Sequence, residues 1–226
     1  MTDYDLARIY SGVRERVTAL VRGVGTERLE QMAPATPEWR GRDILAHLVG
    51  TTADVIESRL DGVASDSWTK AQVEARSSTS IEDLLAEWEH FSPQVEPLIN
   101  DFPTRMQVMF LVDAVTHEHD LRGAINTPGA RDSIAIAFGF DQVSFGIGRQ
   151  RAESGALRII HEAGESFVGT GEATATLRTT RFEILRAAVG RRSASQIAMW
   201  DWDGLSLTET VVIEMFAPPR ATDLNE

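Results

Sequence analysis

The chain contains no cysteine among its 226 residues. Disulfide bridges, zinc ribbons built from cysteine and a cysteine nucleophile are therefore all excluded. If the protein carries out thiol chemistry, the sulfur must arrive on a separate cosubstrate.

Basic residues are also scarce, because 22 Lys and Arg stand against 34 Asp and Glu, which gives a formal net charge of -12. The longest basic cluster is Arg191-Arg192, with Arg186 nearby. Nucleic-acid binders usually carry a much larger basic stripe. We therefore expect an acidic, well-solvated surface and no nucleic-acid partner.

Long apolar runs are missing as well. No stretch approaches the roughly 18 uninterrupted apolar residues that a membrane span needs. The first residues, MTDYDLARIYSGVRERV, carry charges where a signal peptide would have an apolar core. The sequence predicts a cytoplasmic protein with no membrane partner.

The first half of the chain shows helical periodicity. Apolar residues recur at intervals of three and four and predict helices over about 5–24, 41–60, 80–99 and 103–126. Residues 61–79 are small and polar, which favours a loop with some irregular helix. Four amphipathic helices joined by loops are typical of an antiparallel bundle, where metal sites are built from facing helices.

The second half has a different pattern. Residues 132–151 are expected to form a linking or covering helix, and 181–189 a further one. Short strands are predicted by four runs: ALRIIHEA, ESFVGTG, ATATLRT and QIAMWDW. We expect a loose tail from residue 217. The predicted fold class is α+β, with a helical bundle at residues 1–150 and a small α+β domain at 151–226.

Three residues suggest a site where chemistry occurs. Asp113 and His117 are spaced i, i+4, so on a helix their side chains lie about one turn apart on one face. His47 is the polar residue in the apolar row DILAHLV of another predicted helix. Three such ligands leave a coordination position open, as in catalytic metal sites. A hydrogen-bonded core histidine and a buried, satisfied acid remain alternative interpretations. Asp120 could accept a hydrogen bond from His117.

Three segments resemble the DinB-like, mycothiol-dependent maleylpyruvate isomerase family. PEWRGRDILAHLV at 37–49 resembles its W-x(3)-D…H-L signature, and DAVTHEHDLRGA at 113–124 resembles its second metal motif. Residues 171–192, which include a helix followed by Gly-Arg, are similar to the family's C-terminal domain. The likeness spans nearly the entire chain in the expected order.

The resemblance implies a DinB-like four-helix bundle that binds one divalent metal, usually zinc. Carried over by position, the ligands are His47, Asp113 and His117. Asp113 stands where the isomerases have glutamate, and aspartate remains a good ligand for Zn²⁺ or Ni²⁺.

The implied function is a metal-dependent enzyme that uses mycothiol or a similar thiol for S-transfer or cis–trans isomerisation of an electrophilic substrate. Arg191 and Arg192 are candidate catalytic residues that would hold an anionic substrate or cosubstrate, although a favourable charge at a helix C-terminus would also explain them. Two alternatives remain: a non-catalytic metal- or ligand-binding regulatory module, and a metal-dependent hydrolase. The oligomeric state, the substrate and the metal's identity stay open.

Overall fold

The structure is a computed structural model that describes residues 3–151, 153–204, 211–213, 216 and 218–226. The chain divides into two compact units: one up to Gly129 together with Glu226, and one from Ala130 to Asn225. In the described part of the chain, no helix is both long and apolar enough to cross a membrane.

The first unit is a helical bundle. Its helices are α1 (Leu6–Gly23), α2 (Thr26–Leu29), α3 (Gly41–Ile56), α4 (Asp66–Ala75), α5 (Ile81–Val95) and α6 (Thr104–Ala124). Helix α3 packs against α4, α5 and α6, and α1 packs against α6. The predicted α+β class and the four long helices of the bundle are confirmed.

Helix α1 shows how the bundle forms its core. Its stripe of Ile9, Val13, Val17 and Val21 is buried, as the helical spacing of these residues predicts. Behind this stripe Arg16 makes two hydrogen bonds, of 2.6 and 2.8 Å, to the fully buried carboxylate of Glu118 on α6. Apolar burial and a partly buried ion pair together fix α1 on α6.

Helix α4 lies in a segment for which the sequence suggested mostly loop. Ser65 caps it by accepting a hydrogen bond from the Trp68 N–H. The periodicity was weak because Gln72, a polar residue, is buried on the face that packs on α3. A regular ten-residue helix therefore replaces the expected irregular segment.

A short antiparallel hairpin precedes α3. It consists of β1 (Met32–Ala33) and β2 (Thr36–Arg40). Trp39 lies on β2, one residue before α3 is capped by Arg40. The hairpin thus places an aromatic ring at the start of the helix that carries His47.

In its described residues, the second unit combines a four-stranded sheet with three helices. Its strands β3 (Ala156–His161), β4 (Gly164–Val168), β5 (Ala173–Arg178) and β6 (Asp201–Asp203) are ordered β4-β3-β5-β6. Strands β3 and β5 are parallel and the other two pairs antiparallel. The helices are α7 (Ile134–Gln150), α8 (Arg181–Ala188) and α9 (Ala194–Ala198).

Helix α7 belongs to this second unit, which begins before the domain boundary suggested at residue 150. Gly139 brings α7 so close to α8 that an added Cβ would lie 2.7 Å from Leu185 Cδ2. Gly148 likewise approaches the backbone of Gly169 beyond β4. The packing of α7 against α8 and the sheet explains why it groups with them rather than with the bundle.

Two expectations for the C-terminal region were wrong. The run QIAMWDW is not one strand, because Ser193 and Gln196 form a capping box that begins α9, and only Asp201–Asp203 pairs with β5. The tail at 218–226 is held rather than loose: the Leu224 N–H donates to Gln196 Oε1 and Gln196 Nε2 donates to the Leu224 carbonyl. Residue 217 lies outside the described residues.

Candidate metal centre

His47, Asp113 and His117 converge inside the first unit. Each offers a ligand atom, and the three atoms lie within 4.8 Å of one another. His47 Nε2 lies 3.2 Å from Asp113 Oδ2, and His117 Nε2 lies 3.5 Å from Asp113 Oδ1. The two imidazole rings stand edge to face, with their centroids 4.7 Å apart. The structure therefore brings together the three residues that the sequence singled out.

Local structure explains this convergence. Asp113 and His117 are one turn apart on α6, and His47 projects from the middle of α3, which packs against α6. Both imidazoles are buried, whereas the Asp113 side chain keeps 34% of its surface exposed. The carboxylate therefore forms the side of the cluster that faces water.

Trp39 covers another side of the cluster. Its ring centroid lies 5.2 Å from that of His47 and 5.5 Å from that of His117. The indole thus forms an aromatic wall beside both imidazoles.

His47 is held from behind by a hydrogen bond. Its Nδ1 lies 2.8 Å from the Gln72 Oε1 of α4. The other end of the Gln72 amide donates to Asp54 Oδ2 at 2.7 Å. An imidazole that donates through one nitrogen to a fixed acceptor keeps the lone pair on the other nitrogen, as metal-ligating histidines require.

His117 has an acid behind it as well. Its Nδ1 lies 3.1 Å from Oδ2 of Asp120, which is fully buried on the same helix. The two atoms are close but are not aligned as a hydrogen bond. Asp120 thus occupies the place that the sequence assigned to a supporting acceptor.

The charges around His47 change its pKa. Burial by itself lowers the pKa of the imidazole, but the negative charge of Asp113 and the hydrogen bonds to Asp113 and Gln72 outweigh burial and leave the pKa raised. A positive charge is thus favoured between His47 and Asp113, whether a proton or a cation carries it.

The donor set fits a divalent metal ion. Ligands at about 2.0–2.1 Å around a tetrahedral zinc lie about 3.3 Å apart. His47 Nε2 and His117 Nε2 lie 3.4 and 3.5 Å from the same oxygen, Asp113 Oδ1, which matches this spacing. Two imidazoles and a carboxylate suit Zn²⁺ and also Ni²⁺, and a three-ligand set leaves a position for substrate or water.

The remaining histidines do not join the cluster. His119, two residues after His117, is buried and is not part of the cluster. His90 is exposed on α5, and His161 lies in β3 of the second unit. Burial lowers the pKa of His161.

Arg191 and Arg192 lie in the second unit, just after α8. The Arg192 guanidinium is buried and donates to both Glu183 oxygens, at 2.6 and 2.9 Å. Arg191 is half-buried, and its Nη1 donates to the Val189 carbonyl at 2.8 Å. A catalytic role for either arginine stays a prediction.

Gln72 and Asp54 were missed by reasoning from the sequence. Gln72 lies in a segment without an apolar row, and Asp54 stands near the end of α3 among both polar and apolar residues. Nothing in one sequence distinguishes a buried glutamine or aspartate from an exposed one, so both residues became visible only through the packing of α4 on α3.

No protein-family model matches the chain, and no curated protein matches its sequence. The chain is similar in structure to a solved protein described as the mycothiol-dependent maleylpyruvate isomerase, with a TM-score of 0.56 and 11% identity. The match covers 82% of this chain and 88% of that one. At this identity the likeness shows the fold, and it confirms the DinB-like architecture expected from the sequence.

Proposed function

We propose that this protein is a metal-dependent enzyme that uses an external low-molecular-weight thiol, mycothiol or a similar one, to act on an electrophilic small molecule. The reaction is S-transfer or cis–trans isomerisation, and the metal is Zn²⁺, with Ni²⁺ as the second choice. The convergence of His47, Asp113 and His117 at coordination spacing is the observation that carries the proposal.

The residues of the site have separate tasks. His47 and His117 would hold the ion through their Nε2 atoms, while Gln72 and Asp120 orient the two rings from behind. Asp113 would supply the anionic ligand on the side open to water. When bound, the ion supplies positive charge that lowers the pKa of an incoming thiol from about 8.5 toward neutrality.

The surroundings of the cluster favour a small organic partner. Trp39 presents an aromatic face beside the two imidazoles, which would limit the water next to a reacting thiol. The absence of cysteine means that the nucleophilic sulfur must come from outside the chain. A cytoplasmic setting, where free thiols are abundant, agrees with this requirement.

The two reaction classes share their first bond. The sulfur of the thiol forms a bond to an electrophilic carbon of the substrate. In a transferase that bond persists in the product, whereas in an isomerase the former double bond rotates and the thiol then leaves. Arg191 and Arg192 remain proposed anchors for an anionic substrate.

Metal content is the direct test. We expect about one divalent ion per chain in the purified protein, with the ion lost in His47→Ala and His117→Ala. The loss of metal affinity should exceed the roughly 10–100-fold decrease that is typical when a residue hydrogen-bonded to a metal ligand is removed. His90→Ala, which changes an exposed histidine on α5, is the matched control and should keep the metal.

Activity is then tested with a panel of electrophiles and a low-molecular-weight thiol, with and without a chelator. Thiol adducts or isomerised substrate should be formed only by the metal-loaded protein. Full activity of the metal-free protein would rule out the proposal. A metal-loaded protein that turns over no electrophile would instead identify the bundle as a binding or regulatory module.

A further inference from the structure

Three side chains form a relay behind His47, on the side of the ring opposite Asp113. His47 Nδ1 contacts Gln72 Oε1 at 2.8 Å, Gln72 Nε2 donates to Asp54 Oδ2 at 2.7 Å, and Arg59 Nε donates to Asp54 Oδ1 at 2.8 Å. Gln72 and Asp54 are only 3% and 6% exposed. These partners are therefore separated from competing water.

The chemistry of the relay allows one direction of hydrogen bonding. Arginine only donates, and an ionised carboxylate only accepts. With Oδ1 of Asp54 held by Arg59, Oδ2 must accept from the Gln72 amide nitrogen. The Gln72 oxygen then has to face His47, and Thr51 Oγ1 donates to that same oxygen at 3.4 Å.

We propose that Asp54 and Gln72 are positioning residues that hold His47 in the tautomer with its proton on Nδ1 and its lone pair on Nε2. Nε2 is the nitrogen that points toward Asp113, so this tautomer makes His47 ready to bind the ion. The importance of the relay for metal affinity rests on the proposed function, whereas the tautomer is a property of the metal-free chain.

The relay differs from the usual arrangement, in which a carboxylate or a backbone carbonyl accepts directly from the imidazole. Here a neutral amide accepts from His47, and the carboxylate lies one residue further away. A side-chain amide can rotate by about 180° and present its nitrogen instead of its oxygen. The direction of the whole relay therefore depends on Asp54, although Asp54 does not contact His47 in the structure.

Asp54→Asn should reverse the relay. Arg59 would keep the oxygen of the introduced asparagine, so the amide nitrogen of that asparagine would point at Gln72. Gln72 would then offer its oxygen to this nitrogen and its own nitrogen to His47 Nδ1. The His47 proton would move to Nε2, where it blocks the metal.

The double variant Asp54→Asn/Gln72→Glu should restore the wild-type direction. One oxygen of the introduced glutamate would accept from the introduced asparagine, and the other would accept from His47 Nδ1. This double variant keeps the net charge of the wild type, because it only moves the carboxylate by one residue. Glu74→Gln, an exposed change on α4, is the control for the loss of one negative charge in Asp54→Asn.

The tautomer is read by ¹⁵N–¹H NMR of the histidine side chains in metal-free protein, at an alkaline pH where the imidazole is neutral. Zn²⁺ affinity is measured in parallel by competition with a chelator. We expect His47 to carry its proton on Nδ1 in the wild type, Glu74→Gln and the double variant, and on Nε2 in Asp54→Asn. Zn²⁺ affinity should fall about 10–100-fold in Asp54→Asn and recover in the double variant.

A proton on Nε2 in the wild type, or an unchanged tautomer in folded Asp54→Asn, would overturn the inference. If Asp54→Asn does not fold, the wild type and the double variant decide, because both must show Nδ1–H. A wild type that shows Nδ1–H but binds no divalent ion would refute the proposed function and leave the relay intact.

Discussion

His47 is a buried base whose two nitrogens face two different acceptors. Nδ1 faces the Gln72 oxygen, and Nε2 faces the Asp113 carboxylate. With the proton of the neutral ring on Nδ1, as proposed above, and without a cation, the contact with Asp113 is favourable only when His47 carries a second proton. A proton and the proposed metal ion would therefore compete for one place, and the pKa of His47 is raised because that place attracts positive charge.

The attraction of Asp113 for a proton on His47 gives a pH dependence of stability in the metal-free protein. Because the pKa of His47 is raised in the folded state, its contribution to the free energy of unfolding is full below the unfolded value of about 6.5. The contribution is lost as the pH rises through the raised pKa. Asp113→Asn removes the attracting charge, so the difference in stability between wild type and Asp113→Asn should shrink over that range.

Denaturant unfolding with a chelator present, at a series of pH values from about 6 to 9, would measure this difference. Asp203→Asn, an exposed change in the second unit, serves as a charge-matched reference far along the chain from His47 and should leave the profile unchanged. A stability difference that stays constant across the series would show that Asp113 does not control the protonation of His47.

At the scale of elements, the close packing of α4 on α3 places Gln72 within hydrogen-bond distance of His47. Gly50 makes this approach possible, one turn after His47. A Cβ at Gly50 would lie 2.7 Å from Gln72 Cβ and 2.9 Å from Arg76 Nη1. Both neighbours are on α4 or its C-terminal cap, so the two helices touch at a point where no side chain fits.

Gly50→Ala should therefore move α4 away from α3 and destabilise the fold by about 1–3 kcal/mol, the usual effect of overpacking. It should also weaken metal binding, because Gln72 moves with α4. Gly12→Ala on α1 is the control, because its Cβ would meet only the end of the Arg16 side chain, at 3.4 Å. This substitution should stabilise the helix by about 0.5–1 kcal/mol. Thermal unfolding and Zn²⁺ titration of both variants would measure this contrast. If both substitutions stabilised the protein, or both destabilised it, the expected contrast would be absent.

The elements also show what the sequence could and could not predict. Periodic apolar residues predict α1, α3 and α6, and the i, i+4 spacing places Asp113 and His117 on one face. Helix α4 lacks such a row because its buried side chain is that of Gln72. Helix α7 is apolar enough to cover either unit, so periodicity predicts the helix but not its partners.

On the scale of the whole molecule, the candidate ligands and their supporting residues all belong to one of the two compact units. The bundle supplies His47, Asp113 and His117, and the second unit supplies none of them. The proposed metal would therefore act on the stability of the bundle. The acidic balance of the chain, with a net charge of -12, favours the approach of a cation.

We expect a saturating ion to stabilise the bundle selectively. At a free concentration of about 100 times Kd the gain is about 2.7 kcal/mol. Hydrogen exchange should slow in α3, α4 and α6, and strands β3–β5 should exchange as before. His47→Ala with the same ion serves as the control, and equal protection of the sheet in the wild type would show that the two units unfold together.

The partial exposure of Asp113 has a consequence for how the protein is handled. A ligand open to water lets an ion enter and leave without unfolding, so the bound metal would exchange with the medium. Two imidazoles and one carboxylate also accept several first-row metals, with copper and nickel binding such donors at least as strongly as manganese or iron. Material eluted from a nickel resin should therefore carry nickel, and the native ion is better identified in untagged protein prepared from its own host.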